Sequence, residues 1–352
     1  MPIFGGASNY AYVCARVKAK KSFLLKKETF RRLLSMDIAE IGRYLGETQY
    51  RNEITALGAR YAGATLVELG LSQNLAKTYR DIIDFSGGHL KELIARYLEF
   101  WDIYNIKTVI RGKLTAAPAD EIREIIVSAG ALKQEYINRL ITSSSNEELM
   151  DLLRQQKVVK IDEEILRNAI STGKLAAFED HLDRMYYHSL LSSIKEKTLS
   201  EKRFLEFIRS EVDITNLKAL LKLRAEGSSG EALSQYFIPG GKEFRIDRLT
   251  KMVASDGMKD VIQEVRQSSY ADYMRDALEA FEDEAEISSV IRALDRALLE
   301  TSEKFSHLYP LSVLPVVDYM LRKKREVDNI RIITRGKESN LESEIIEELL
   351  VY

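Results

Sequence analysis

The sequence predicts an all-α protein built from three similar helical units, and two observations lead there. One stretch recurs three times without a gap, at Asp102 to Lys113, Asp213 to Arg224 and Glu326 to Lys337. Its order is acid, β-branched, any, Asn, aliphatic, basic, any, aliphatic, any, basic, any, basic. The second observation is compositional: 5 prolines in 352 residues, heavy use of Ala, Leu, Glu, Lys and Arg, and few alternating runs leave no convincing strand.

The three asparagines of the stretch, Asn105, Asn216 and Asn329, lie 111 and 113 residues apart. Solenoid repeats have periods of roughly 20 to 50 residues, so this unit is domain-sized. It divides the chain into 1–115, 116–227 and 228–352, the last with a helical tail. The second and third units also match outside the stretch, Glu121 to Gly130 with Glu231 to Gly240 and Leu182-Asp183-Arg184 with Leu294-Asp295-Arg296.

On a helix the acid and the Asn share one face at i, i+3. The first two basic residues of each copy share another at i, i+4, giving Lys107 and Arg111, Lys218 and Lys222, Arg331 and Arg335. The aliphatic positions between them point to a core. The acid/Asn pair reads either as a cap or satisfied polar contact at a helix start or kink, or as groups that three equivalent helices present to a partner about a shared axis.

Along the chain, Ser8 is a plausible N-cap for a helix through Tyr10 to Ala19. A second helix runs from about Thr29 through Leu34, and Asp37 caps a third carrying Ile38, Ile41 and Leu45. Thr48 to Leu69 reads as one helix, and Ser72 opens the next. After Gly87-Gly88 an apolar stripe at Leu90, Leu93, Ile94, Tyr97, Trp101 and Tyr104 leads into the first motif copy. Gly112 breaks that pattern, and Pro118 marks passage into the second unit. Gly227-Ser228-Ser229-Gly230 reads as a linker and Pro239-Gly240-Gly241 as a turn. A helix from about Ser312 leads into the third copy. The acidic amphipathic tail carrying Leu341, Ile345, Ile346, Leu349 and Leu350 has no counterpart in the other units and is expected to close the end of the body.

Composition narrows the function classes. Lys and Arg number 52 against 54 Asp and Glu, a balance that argues against a protein whose main task is gripping nucleic-acid phosphates. A single cysteine, Cys14, builds neither a disulfide framework nor a zinc site and suits a reducing compartment. No secretory signal is visible at Met1-Pro2-Ile3-Phe4-Gly5-Gly6, and the apolar run Leu308 to Leu321 is too short and too broken by Pro310, Pro315 and Asp318 to span a bilayer.

Catalytic constellations are equally thin. Gly112-Lys113-Leu114 and Gly336-Lys337-Glu338 lack both the leading glycine and the hydroxyl of a phosphate-cradling loop. His181 and His188 would stand about 10 Å apart along a helix, too far to share a metal unaided. Arg322-Lys323-Lys324-Arg325, continuing to Arg331, Arg335 and Lys337, is the densest basic region, either solvated helix surface or a dock for an acidic partner or headgroups. No cofactor, metal or small-molecule substrate is expected.

Taken together, Tyr10-Ala11-Tyr12-Val13-Cys14-Ala15-Arg16-Val17-Lys18-Ala19 with Leu24-Leu25, the triple motif, and Pro315 followed by Tyr319 and the Lys324-to-Arg331 stretch resemble the C subunit of archaeal A-type and bacterial V-type ATP synthases. The eukaryotic counterpart of that family is the d subunit of the vacuolar enzyme. The resemblance implies a funnel-like, all-helical body of three domains about a pseudo-threefold axis. It implies a peripheral protein on the cytoplasmic face of the cell membrane, seated on the proteolipid rotor ring and receiving the D and F subunits of the central stalk. Such a protein passes rotation and makes no covalent bond. Lys107, Arg111, Lys218, Lys222, Arg331 and Arg335 are then candidates for the ring-facing or concave surface, with intramolecular salt bridges as the competing fate. A helical scaffold unrelated to rotary enzymes is the alternative.

Overall fold

The computed structural model describes residues 6–227, 236–255, 257–281 and 287–352, and among them every regular element is helical. The chain opens with α1 (Gly6–Lys21), α2 (Lys27–Leu34), α3 (Ile38–Leu45), α4 (Arg51–Leu57), α5 (Gly63–Phe85), α6 (Gly88–Leu98) and α7 (Phe100–Leu114). It continues with α8 (Ala119–Ile125), α9 (Gln134–Thr142), α10 (Asn146–Gln155), α11 (Glu163–Thr172), α12 (Ala176–Ser193) and α13 (Leu199–Ala225). The last third holds α14 (Ile246–Ala254), α15 (Met258–Arg266), α16 (Ala271–Glu279), α17 (Ile287–Leu308), α18 (Leu314–Glu338) and α19 (Ser343–Leu349). The order of short helices, then a long one, then a returning helix that ends in the motif occurs three times, at α5 to α7, α12 to α13 and α17 to α18.

Contacts gather the chain into two compact units. One holds Met1–Glu179 and Tyr319–Leu350 with Tyr352, the other Asp180–Asp318 with Val351. The core of the second unit is continuous, with Leu217, Leu220 and Leu221 of α13 packed against Val261, Val265, Val290, Leu294 and Ala297, all buried. In the first unit the core runs through Val67, Leu71 and Leu75 of α5, Ile106 and Val109 of α7, and Val327, Ile330 and Ile333 of α18.

Several sequence expectations hold locally. Asp37 caps α3 in a full capping box with Glu40, its carboxylate accepting from the Glu40 amide at 2.7 Å. Cys14 is buried; Pro118, read as the passage into the second unit, stands at the N-cap of α8 inside the first compact unit. Gly240 turns with φ +107, while 228–230 of the glycine-rich linker lie outside the described residues.

Other boundaries differ. Thr48 to Leu69 is not one helix: α4 ends at Leu57, and α5 begins anew at Gly63, whose φ of +61 a continuous helix does not hold. Ser72 opens nothing; it sits inside α5, its hydroxyl donating to the Glu124 carbonyl at 2.6 Å. Helix α1 begins at Gly6 instead of following Ser8.

Gly112 does not end its helix either. An added Cβ there would stand 2.5 Å from the Ile122 side chain, so the missing side chain lets α8 lie on α7. Gly336 does the same for Ile346 of α19, where the distance would be 2.6 Å. The helices end at Leu114, Ala225 and Glu338, and two residues past each end stands a left-handed residue, Ala116, Gly227 and Asn340, with φ of +54, +74 and +55. After two of them the chain closes an identical bond, Ala117 N to Gly112 O at 2.8 Å and Leu341 N to Gly336 O at 2.9 Å. The tail helix α19 therefore has a counterpart after all. It is the equivalent of α8: at an offset of 224 residues Asp120, Ile122, Glu124 and Ile125 correspond to Glu344, Ile346, Glu348 and Leu349.

Candidate interaction surface

Each motif copy is a latch. Asp102, fully buried in α7, accepts hydrogen bonds from the backbone amides of Ala131 and Leu132, both at 2.8 Å. Asp213, equally buried in α13, accepts from Glu243 N at 2.7 Å and Phe244 N at 3.0 Å. In both cases the loop passes so close that a glycine must face the carboxylate, Gly130 for Asp102 and Gly241 for Asp213. The motif asparagines fix the same loops by pairing with one residue's backbone on both sides. Asn105 donates to Val127 O at 2.8 Å and accepts from Val127 N at 3.0 Å, and Asn216 makes both bonds to Ile238 at 2.8 Å. These bonds satisfy backbone groups that a loop buried against a helix would otherwise leave unpaired.

The third copy makes its contacts at the other end of the chain. Glu326 accepts from Leu25 N, Gln49 Nε2 at 2.8 Å and Tyr50 Oη at 2.6 Å, and pairs with Lys323 at 2.9 Å. Lys323 has no exposed surface and lies 3.9 Å from the Tyr50 ring centroid; burial pushes its ammonium below the ordinary lysine value against the opposing pull of Glu326. Tyr270 serves Asp213 as Tyr50 serves Glu326, donating at 2.8 Å from just before a short helix.

The final basic position of each copy binds carbonyls at the C-terminal end of a short helix. Lys113 donates to Ser143 O at 2.5 Å beyond α9, Arg224 to Val253 O at 3.4 Å and Ser255 O at 3.1 Å at the end of α14, and Lys337 to Leu34 O at 2.6 Å at the end of α2. A cation is favoured there because the last carbonyls lack helical partners and carry the negative end of the helix dipole. Of the two readings of the acid/Asn pair, the satisfied polar contact is the one seen in copies one and two, where the partners are loop backbone and not the start of a helix. The acids are satisfied within the chain, Asp102 in the first turn of α7 and Asp213 and Glu326 well inside α13 and α18.

The six candidate cations divide by exposure. Arg331 is largely buried and donates from Nε to Glu68 at 2.9 Å and from Nη2 to Ser72 Oγ at 2.5 Å. Arg335, exposed, shares the same Glu68 at 2.8 Å. Arg111, exposed, grips Glu179 with two bonds of 2.8 and 2.5 Å. Lys218 pairs with Asp295 at 2.6 Å, Lys107 is half-buried, and Lys222 is exposed. Positions equivalent in the motif therefore share a fate: Arg111, Lys222 and Arg335 face solvent, while Lys107, Lys218 and Arg331 sit deeper.

Sequence reasoning named these cations and missed their anions, Glu68, Glu179 and Asp295. One signal was available, since Asp295 belongs to the Leu-Asp-Arg triplet shared by the second and third units. It also missed Tyr50 and Tyr270, which lie almost two repeat lengths apart.

Among the described residues no group of three or more His, Cys, Asp or Glu is arranged to hold a metal ion. An open cleft of about 230 Å³ between α14 and α15 is lined by Arg248, Lys251, Met252, Asp260 and Glu264, smaller than the few hundred Å³ of a typical ligand pocket. Burial lifts the Asp102 carboxyl to about 6, against the pull of its two backbone amides, and also raises the Asp213 carboxyl above its ordinary value. Both groups are sealed by loop backbone, so their shifts report structure and not reactivity.

The family model described as ATP synthase (C/AC39) subunit matches residues 13–349, which include all three latches. The chain belongs to this family. Its similarity to curated relatives extends over almost the full length of both partners. It is 37% identical to the A-type ATP synthase C subunit of Haloferax volcanii, over 98% of each chain. With the C subunit from Methanosarcina acetivorans it shares 37% identity over 98% of this chain and 94% of the relative. With the Archaeoglobus fulgidus C subunit it shares 35% over 99% and 97%. Membership thus covers both ends of the chain, and with them the closure of the third motif on the first helices. Among the described residues no helix is long and apolar enough to cross a membrane.

Proposed function

We propose that the chain is a non-catalytic component of an A-type rotary ATP synthase, linking the central stalk to the proteolipid rotor ring and transmitting torque. The full-length family match carries this reading, since relatives at 37% identity over 98% of the chain are A-type ATP synthase C subunits. The site chemistry supports it: polar groups are spent on fixing loops to helices, as a body that must pass torque without yielding requires. On this reading the protein is peripheral on the cytoplasmic face of the cell membrane, and its partners are the proteolipid ring and the stalk's D and F subunits. The units 1–115, 116–227 and 228–352 are then three domains about a pseudo-threefold axis.

Of the proposed partner-binding cations, Arg111, Lys222 and Arg335 are the exposed members and Lys107, Lys218 and Arg331 the deeper ones. Arg111 is exposed while its partner Glu179 is 17% exposed, so an acidic partner group would add to the guanidinium's outer side or compete with a two-bond pair. The test is binding of the purified chain to detergent-solubilised rotor ring and, separately, to the D and F pair, at several salt concentrations. Binding to both, with the ring interaction weakened by salt and by the triple substitution R111A/K222A/R335A, is expected. A folded chain that binds neither returns the protein to the class of generic helical scaffolds.

A further inference from the structure

The second compact unit ends in an apolar tip that none of the latches or ion pairs uses. Leu308, the last residue of α17, and Leu311, in the turn before α18, are 59% and 66% exposed, and Leu199, the first residue of α13, is 60% exposed. Helices α13 and α17 lie antiparallel: the Phe207 and Phe305 rings meet edge-on at 6.3 Å, and the Arg203 guanidinium stands 5.4 Å from the Tyr309 ring centroid. Leu199, Arg203 and Phe207 succeed one another at i, i+4 on one face. That register brings Leu199 alongside the 308–311 turn.

The turn is held with its leucines outward. Ser312 Oγ donates to Tyr309 O at 2.6 Å and accepts from Leu314 N at 3.2 Å, while Val313 and Leu314 take the core positions. Near the leucines in sequence the exposed charges are Lys195, Lys197, Lys202 and Lys304 against Glu196 and, farther back on α17, Glu300, with Glu303 half-buried and Arg203 paired to Glu206 at 2.7 Å. Arg203 stacked on Tyr309 adds an amphipathic pair at the rim.

We propose that this tip inserts into the headgroup layer of an anionic phospholipid membrane. Leucines carried on a turn and at a helix end project outward and enclose no groove, which suits insertion between lipids. The lysine collar matches the charge of anionic headgroups, and tyrosine and long cationic side chains belong at the boundary between apolar and wet regions. The proposal is independent of the coupling role, because lipid alone is the ligand.

Co-flotation of the full chain with protein-free vesicles tests it. One set is phosphatidylcholine with phosphatidylglycerol, the other phosphatidylcholine alone. The chain is expected to partition onto the anionic set and less so as salt rises. Leu308→Ser with Leu311→Ser should lower that partition by about tenfold or more, and Leu199→Ser should lower it less. These positions are exposed, so thermal melts of the variants should overlay the parent. Failure to bind either vesicle, equal binding to both, or unchanged partition of the double variant would overturn the proposal. So would a double variant that floats normally yet no longer binds solubilised rotor ring, since that assigns the tip to a protein partner.

Discussion

At the scale of single residues, the decisive feature is where charge is buried and what answers it. Glu68 is nearly inaccessible and serves both Arg331 and Arg335. Glu68→Ala should therefore cost about 3 kcal/mol in denaturant unfolding, because the largely buried Arg331 would lose its carboxylate and keep the neutral Ser72 hydroxyl. Arg335→Ala removes an exposed member of the same cluster and should cost less than about 1 kcal/mol. Equal losses from the two substitutions would contradict the assignment of Arg331 as the buried partner. Asp102 gives a pH signature. Its carboxyl is raised from 3.8 to about 6, so between those values the folded chain binds more protons than the unfolded one. Its contribution to stability must fall as pH rises through that window and level off above it. Relative to Asp102→Asn, the parent should lose up to ~3 kcal/mol between about pH 4 and pH 7. A difference that stays flat with pH would refute the burial account of this carboxylate.

At the scale of elements, the three motif helices end alike, with a left-handed residue four positions after the Gly112, Leu223 and Gly336 site. Copy two already uses glycine there, Gly227, whereas copy one places Ala116 at φ +54. Ala116→Gly should stabilise the chain by about 1 kcal/mol, since a Cβ is strained in that conformation; a loss of stability in thermal melts would contradict it. These ends also mark what the sequence could and could not reveal. The helical class, the motif pattern and the Asp37 cap were legible because each rests on local spacing. The α4 to α5 break was not, because Gly58 and Ala62-Gly63 sit among good helix formers and their exposed backbone turn is not marked by a proline or a polar cluster. Gly112 was misread as a terminator because its purpose, admitting Ile122, depends on a neighbour that spacing does not show. The cations of the candidate surface were legible as charge pattern, while Glu68 and Glu179 were not, since each lies many residues from its partner in sequence.

At the scale of the whole molecule, the third motif ties the C-terminal region to the beginning of the chain. Glu326 gathers Leu25, Gln49 and Tyr50, Lys337 holds the end of α2, and Arg31 pairs with Glu347 of α19 at 2.9 Å. Glu326→Ala should cost about 3 to 5 kcal/mol, leaving Lys323 as an uncompensated buried charge, and should raise hydrogen exchange across 22–34 before it does so in α13. Exchange that rises uniformly would argue against a localised closure. A body tied at both ends in this way suits the proposed transmission of torque, in which the protein contributes stiffness and matched surfaces and no reacting group. The most direct test is ATP-driven ion uptake by membrane vesicles carrying the complex, first depleted of this chain and then supplied with it. Uptake that is lost on depletion and restored by the added chain, while ATP hydrolysis by the soluble head persists throughout, is the predicted result. Uptake that continues undiminished without the chain would contradict the coupling role.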